Sequence, residues 1–344
     1  MDKIDTVDPT AIAVAIIILT SIAIYVYSVV FALAKKIGST QPSVRELNIY
    51  PIKSCAEIQV DSAVVTSRGF HNDRIFQVVY KDYKWKYATP RNKEFEKLFH
   101  IKPTISDDGS SLELSSPHTK EIFTLELEGA KTTTLTATVM GDSEVTLDDY
   151  GGDVADWLCE ASGIDTTLVS LVGIPKDKYH RHVEVNTDQG EEVPSPSLPV
   201  SLADEAPFLL TTRESLADLN RRLELAGKDM VDMRRFRPNI VIDGLKPWEE
   251  DSIKRIKIGT IAFHVWQRCG RCTMTTIDRD TLQRSAEPLT TLGSFRERKN
   301  GQRNFGMHLI PAGLDGIEGK VDVGIISVGD TVEILEYDEE RRAE

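Results

Sequence analysis

The chain has 344 residues, 40% hydrophobic and 28% charged, with a formal net charge of −13. That balance excludes a generally disordered chain and argues against a nucleic-acid binder, which carries a basic face. The length suits two ordinary domains or one large one, and four cysteines with no Asn-x-Ser/Thr sequon exclude a disulfide scaffold and suit a reducing compartment.

The first element is an apolar run. Residues 11–34 carry no charge, and at 1.5 Å rise per residue they reach about 36 Å, enough to cross a bilayer core of about 30 Å. A cleaved secretory signal has a basic leader and a shorter apolar core. Here the leader is acidic, with Asp2, Asp5 and Asp8 against Lys3. The run therefore reads as an uncleaved single-pass membrane anchor. Lys35 and Lys36 follow it directly, which places the C-terminal body in the cytosol by the positive-inside rule.

After a polar linker the chain reads mainly as strands. Residues 43–50, 58–66, 75–80, 112–115, 122–128 and 133–139 are short, rich in β-branched residues, and mostly bounded by turn formers. Residues 153–162 predict a helix, with Val154, Trp157, Leu158 and Ala161 on one face and Gly163 as its stop. Between Lys176 and Pro207 lies a long polar loop centred on VPSPSLP. A second helix begins at Thr211 or Thr212, where Thr211-x-x-Glu214 fits a capping box. Leu216, Leu219 and Leu223 form its apolar stripe, and Gly227 is its C-terminal stop. Strands follow at 239–242, 253–258, 261–266, 272–277, 321–327 and 331–335. The expected class is mainly β with some α (α+β): an anchor, an N-terminal β-rich region and a C-terminal barrel-like domain.

The sharpest local feature is Cys269-Gly270-Arg271-Cys272. Three readings compete. Half of a zinc site needs a second pair of ligands, and no matching pair of Cys or His stands elsewhere. A thioredoxin-type dithiol must open a helix, whereas Thr273-Met274-Thr275-Thr276-Ile277 favours a strand. The third is a single thiolate holding a metal-bearing cofactor, with Arg271 on an anion. Basic residues in apolar surroundings support it: Lys53-Ser54 after Tyr50-Pro51-Ile52, Arg74 after Asp73, and Arg237-Pro238-Asn239 before a strand. Such donors at strand ends can hold phosphate or a polar heterocycle, although taken singly each is more commonly a surface charge or structural ion pair.

Together, YPIKSC (50–55), the Gly69…Asp73-Arg74 segment, PFLLTTRESLADLNRRL (207–223), FRPNIVIDG (236–244), RCGRCTMTTID (268–278) and EPLTTL (287–292) resemble the MOSC superfamily. Within it they resemble the mitochondrial amidoxime-reducing component type. They occur in the family's order over the whole body of the chain. The resemblance implies an N-terminal region at 43–175, a MOSC domain at 178–338, and a molybdenum–molybdopterin cofactor whose protein thiolate is Cys272, a soft ligand suited to such a metal. It further implies that Lys53, Ser54, Arg74, Arg237, Asn239 and Arg271 contact the cofactor, with Asp204 and Glu205 nearby. His308 stands where relatives carry Tyr, and Gly270 offers only backbone. The family's Asp-x-Asp-Thr-Gly turn reads Asp278-Arg279-Asp280-Thr281-Leu282, losing its glycine.

The implied activity is reduction of N-hydroxylated compounds such as amidoximes and hydroxylamines. Its electrons would come from a cytochrome b5-type haem protein and an NADH-dependent flavin reductase. The chain has no G-x-G-x-x-G of its own. The outer mitochondrial membrane is the implied location, with the endoplasmic reticulum as a second possibility. The competing function is sulfur transfer or cofactor maturation, as in MOSC domains fused to pyridoxal-phosphate sulfurases; non-catalytic binding or storage of the cofactor at a membrane is a third.

Overall fold

Tyr50 and Pro51 mark where the chain passes from one sheet to another. Before them, the strand Ser43–Ile49 pairs with Ile240–Asp243 in an eight-stranded sheet. After them, Ile52–Lys53 pairs with Phe76–Asp82 in a six-stranded sheet. The computed structural model describes residues 41–344 except 83, 128–130, 132, 141–143, 165–168, 176–181, 185–196, 299, 314–321 and 344. The apolar run 11–34 lies outside the described residues, and among those described no helix is long and apolar enough to cross a membrane.

The larger sheet runs in the order Val332–Tyr337, Ile253–Ile258, Ile261–Gly270, Asn304–Pro311, Phe208–Thr212, Ile240–Asp243, Ser43–Ile49, Ile58–Val60. It curls into a barrel, because Ser43 bridges Thr331 and the Val44 N–H donates to Asp330 O at 2.9 Å. Phe208–Thr212 and Ile240–Asp243 are parallel and joined by the helix Arg213–Leu225. FLLTT is wholly buried and IVID nearly so, as suits parallel strands covered on both faces. Ile253, Ile256 and Ile258 point into this barrel's core with Leu47, Phe208, Phe263 and Leu309.

In the smaller sheet, Phe76–Asp82 pairs with both Lys84–Tyr87 and Val169–Gly173, which closes a second ring. A three-stranded sheet (Lys102–Ile105, Ser111–Ser115, Phe123–Glu126) and the helix Gly152–Ser162 pack beside it through Leu112, Leu114, Trp157 and Leu158. The architecture is mainly β with a few helices.

The helix ends show where the sequence pattern held. Gly163 closes Gly152–Ser162 in a left-handed conformation (φ 73°), which glycine adopts without a Cβ penalty. Leu219 and Leu223 are buried on the face that the stripe defined. Three expectations need correction. The capping residue is Thr212, whose hydroxyl accepts from the Ser215 N–H at 3.1 Å; Glu214 accepts instead from the Gly244 N–H at 2.8 Å. The run 58–66 breaks at Asp61, and Ser62–Thr66 leaves to pair with Asp322–Ser327 in another sheet. The segment after Cys272 is a 3-10 helix, Thr273–Thr276, and not a strand. The Thr275 and Thr276 hydroxyls donate to the Cys272 and Thr273 carbonyls at 2.9 and 2.8 Å, which favours the turn over β propensity.

Of the polar stretch between Lys176 and Pro207, the described parts are two short paired strands, His182–Glu184 and Ser197–Pro199, and the run 200–207. The Leu202 N–H in that run donates to Arg74 O at 2.9 Å, which sets Asp204 and Glu205 beside the junction of the two barrels.

Candidate cofactor site

Tyr50 is fully buried and forms the hinge of the site. The Arg74 guanidinium lies 4.4 Å from its ring centroid and the Arg237 guanidinium 4.2 Å. One aromatic ring thus takes two cations, each worth about 1–2 kcal/mol where water is excluded. Burial pushes the Tyr50 phenol well above the usual tyrosine range, so it remains a neutral donor to Pro238 O at 3.2 Å. Asp73, 1% exposed, accepts from the Tyr50 N–H at 2.8 Å and from Arg74. Arg74 also donates to Asn239 Oδ1 at 2.9 Å and to Arg237 O at 3.4 Å. Asn239 completes the frame, accepting from the Leu209 N–H at 3.2 Å and donating to Asn48 O at 3.2 Å.

Arg237 donates to Cys55 O at 2.6 Å. Burial, and then the neighbouring Arg279, push its pKa down to about 9, so it is a cation with less counter-charge than its position calls for. Lys53 Nζ bonds Val139 O at 2.9 Å and Asp204 at 2.6 Å. The Ser54 hydroxyl donates to Ala88 O at 3.3 Å.

Gly270 ends the strand Ile261–Gly270 and pairs with Asn304. Arg271 then donates to Phe236 O at 2.6 Å and to Cys269 Sγ at 2.8 Å, and its Nε has no partner. Burial raises the pKa of the Cys269 thiol. Cys272 is the exposed cysteine of the four and stands at the N-cap of Thr273–Thr276. His308 on Asn304–Pro311 lies 3.3 Å from Gln267 and 3.7 Å from Glu205.

All eleven residues singled out from the sequence (Lys53, Ser54, Arg74, Asp204, Glu205, Arg237, Asn239, Gly270, Arg271, Cys272 and His308) line one cavity of about 220 Å3. Tyr87, Thr89, Arg91, Met140 and Met274 also line it and were not legible as site residues, having no pattern of their own. The lining carries Lys53, Arg74, Arg91, Arg235, Arg237 and Arg271 against Asp204 and Glu205. A strongly acidic chain has gathered a local basic wall, which suits an anionic ligand.

Six non-glycine residues have positive φ among the described ones, and three of them, Ser54 (72°), Arg74 (48°) and Arg237 (56°), line this cavity. Left-handed backbone costs about 1–2 kcal/mol per L-residue, and its concentration here is the distribution expected of a binding site. Among the described residues no group of three or more His, Cys, Asp and Glu is arranged to hold a metal unaided. The donor set instead fits a large anionic group with its own ligands: an orphaned buried Arg271 Nε, a cationic wall and one exposed thiol.

Two family models match the chain. Residues 41–164 match the MOSC N-terminal beta barrel domain, and residues 197–333 match the MOSC domain. The human protein named mitochondrial amidoxime-reducing component 1 is 30% identical over 302 residues, covering 85% of this chain and 83% of the relative. Its mouse namesake is 32% identical over 260 residues, covering 74% and 71%. A molybdenum cofactor sulfurase of Danio rerio is 30% identical over 287 residues, covering 80% of this chain but 32% of the sulfurase, so the chain spans about a third of that relative's length. These matches run through both barrels and the cavity between them, and the chain belongs to the MOSC family, in the group of the mitochondrial amidoxime-reducing components.

Proposed function

We propose that the chain is a molybdenum-cofactor-dependent oxidoreductase that reduces N-hydroxylated compounds such as amidoximes and hydroxylamines. The observation that carries the reading is the convergence of the exposed Cys272 thiol and a basic wall on one cavity. Cys272 would be the protein's ligand to the metal. Lys53, Arg74, Arg237 and Arg271 would hold the anionic groups of a molybdopterin, with the Ser54 hydroxyl, the Asn239 amide and the Gly270 backbone as polar contacts. Asp204 keeps Lys53 in place through its 2.6 Å ion pair. When bound, the cofactor supplies the two-electron chemistry that removes oxygen from an N–O bond. The chain's own part is to hold that group and to fix Arg74 and Arg237 against the Tyr50 ring.

The reading extends to the run 11–34 as a single-pass anchor, with the body in the cytosol at the outer mitochondrial membrane or the endoplasmic reticulum. Electrons would come from a cytochrome b5-type haem protein and its NADH-dependent flavin reductase; a shared membrane would raise their effective concentration. The purified protein should contain molybdenum and reduce benzamidoxime in that reconstituted chain. A protein with bound molybdenum that turns over no N–O substrate refutes the assignment.

A second reading, sulfur transfer or cofactor maturation, is favoured by the equal identity to molybdenum cofactor sulfurases. A persulfide on Cys272 or Cys269 in protein lacking molybdenum would support it.

A further inference from the structure

Reduction of an N-hydroxylated compound consumes protons. For a hydroxylamine, two electrons and two protons convert the N–OH group to N–H and release one water. The N–O bond breaks, one O–H and one N–H bond form, the electrons come from a reduced haem-type donor and the protons from solvent. Some group in the cavity must therefore pass protons inward. Lys53 and Asp204 form an ion pair with each other, and Cys272 is the proposed metal ligand. Among the lining acids and bases, His308 and Glu205 face each other at 3.7 Å.

Their arrangement suits the task. The His308 side chain is 7% exposed, whereas that of Glu205 is 42% exposed, and Nδ1 lies 3.7 Å from Glu205 Oε2. Both line the cavity. Gln267 Nε2 lies 3.3 Å from the same Nδ1. An amide nitrogen only donates, so Nδ1 accepts and the neutral ring carries its proton on Nε2. The register Gln267↔His308 across the sheet, and Trp266 with its ring centroid 6.2 Å from the imidazole, hold the ring in this orientation.

Resting on the function proposed above, we propose that Glu205 and His308 form the proton route of the cavity: Glu205 takes a proton from solvent, His308 accepts it at Nδ1 and releases one from Nε2 to the oxygen leaving the substrate. The charged groups facing His308 are Glu205, Arg271, Asp204 and Arg74. Burial lowers the ring's pKa most; the two acids raise it and the two arginines lower it further. The imidazolium is thus a strong acid present transiently, and turnover should rise as pH falls toward the ring's lowered pKa.

The test compares wild type, His308→Gln and Glu205→Gln in three readouts: molybdenum content, the pH profile of kcat with benzamidoxime, and histidine NMR titration of the metal-free protein. The wild type should contain molybdenum, show an acid limb, and titrate His308 below the ordinary histidine range. His308→Gln should keep its molybdenum, lose the limb and fall in kcat by about 100-fold or more. Glu205→Gln should lower the His308 pKa further, since an anion has been removed, and shift the limb with it. His308→Gln with an unchanged rate and limb overturns the proton route alone. So does a variant that loses its molybdenum, because His308 would then hold the cofactor. A wild type without molybdenum overturns the underlying function, and the route with it.

Discussion

Tyr50 lies against two guanidiniums of the cavity wall, and replacing it isolates what the ring does. Tyr50→Phe removes only the phenol's hydrogen bond to Pro238 O, a loss of about 1 kcal/mol. Tyr50→Leu also removes the ring that Arg74 and Arg237 approach at 4.4 and 4.2 Å. Two desolvated cation–π contacts contribute about 2–4 kcal/mol together, so the leucine variant should lose about 3–5 kcal/mol in all. Against a typical total stability of about 5–15 kcal/mol, that is a large fraction. Urea unfolding of the two variants side by side measures the difference as a shift in midpoint at constant slope. Equal midpoints for the phenylalanine and leucine variants would refute the claim that the ring holds the two cations.

Three other outcomes follow from the same geometry. Cys272 is the exposed thiol, while burial pushes the Cys55 thiol up to about 12 and raises that of Cys269. Iodoacetamide on metal-free protein should therefore modify Cys272 first, and peptide mass mapping that finds Cys269 first would contradict the site. Leu282 holds φ 60° where the family's turn has glycine, so Leu282→Gly should gain about 0.5–1 kcal/mol by thermal unfolding, the strain of about 1–2 kcal/mol relieved less the added chain entropy; a loss would contradict it. Glu250 is fully buried and its pKa is raised to about 7 by burial and by Asp251. A raised acid binds protons more tightly folded than unfolded, so stability falls as pH rises from the ordinary carboxylate range to about 7 and is flat above. Glu250→Gln should flatten that slope and be more stable than wild type at pH 8; an unchanged slope in chemical unfolding contradicts it.

Part of the site was legible in the sequence as polar residues at strand ends in unusual company, and the family resemblance supplied the rest. Lys53-Ser54 follows an apolar strand, Arg237 and Asn239 flank a proline before another, and Arg271 and Cys272 sit just past a third. What the pattern could not give is the scaffold behind them. Tyr50 and Asp73 look like an ordinary aromatic and an ordinary acid; their roles come from contacts 23 and 188 residues apart in sequence. Arg279 was read only as part of an altered turn, yet it is 6% exposed, lies over Phe99 and biases Arg237 electrostatically.

The errors are physical as well. β-Branched threonines after Cys272 argued for a strand, and their hydroxyls closed a 3-10 turn on the Cys272 carbonyl instead. The case against a helix-opening dithiol thus rested on a wrong element. The stronger ground is the contrast between a buried Cys269, bonded by Arg271, and an exposed Cys272. The altered turn holds despite its missing glycine. Asp278 Oδ1 accepts from the Asp280 and Thr281 N–H groups at 3.1 and 2.8 Å, and Leu282 takes the left-handed conformation itself.

Cys272 is proposed to carry the redox metal of this cavity. The most direct test is benzamidoxime turnover per chain in the wild type and in Cys272→Ala, assayed with the same reconstituted electron donors. Turnover is expected in the wild type and none above background in the variant. Equal turnover per chain in the two proteins would contradict it.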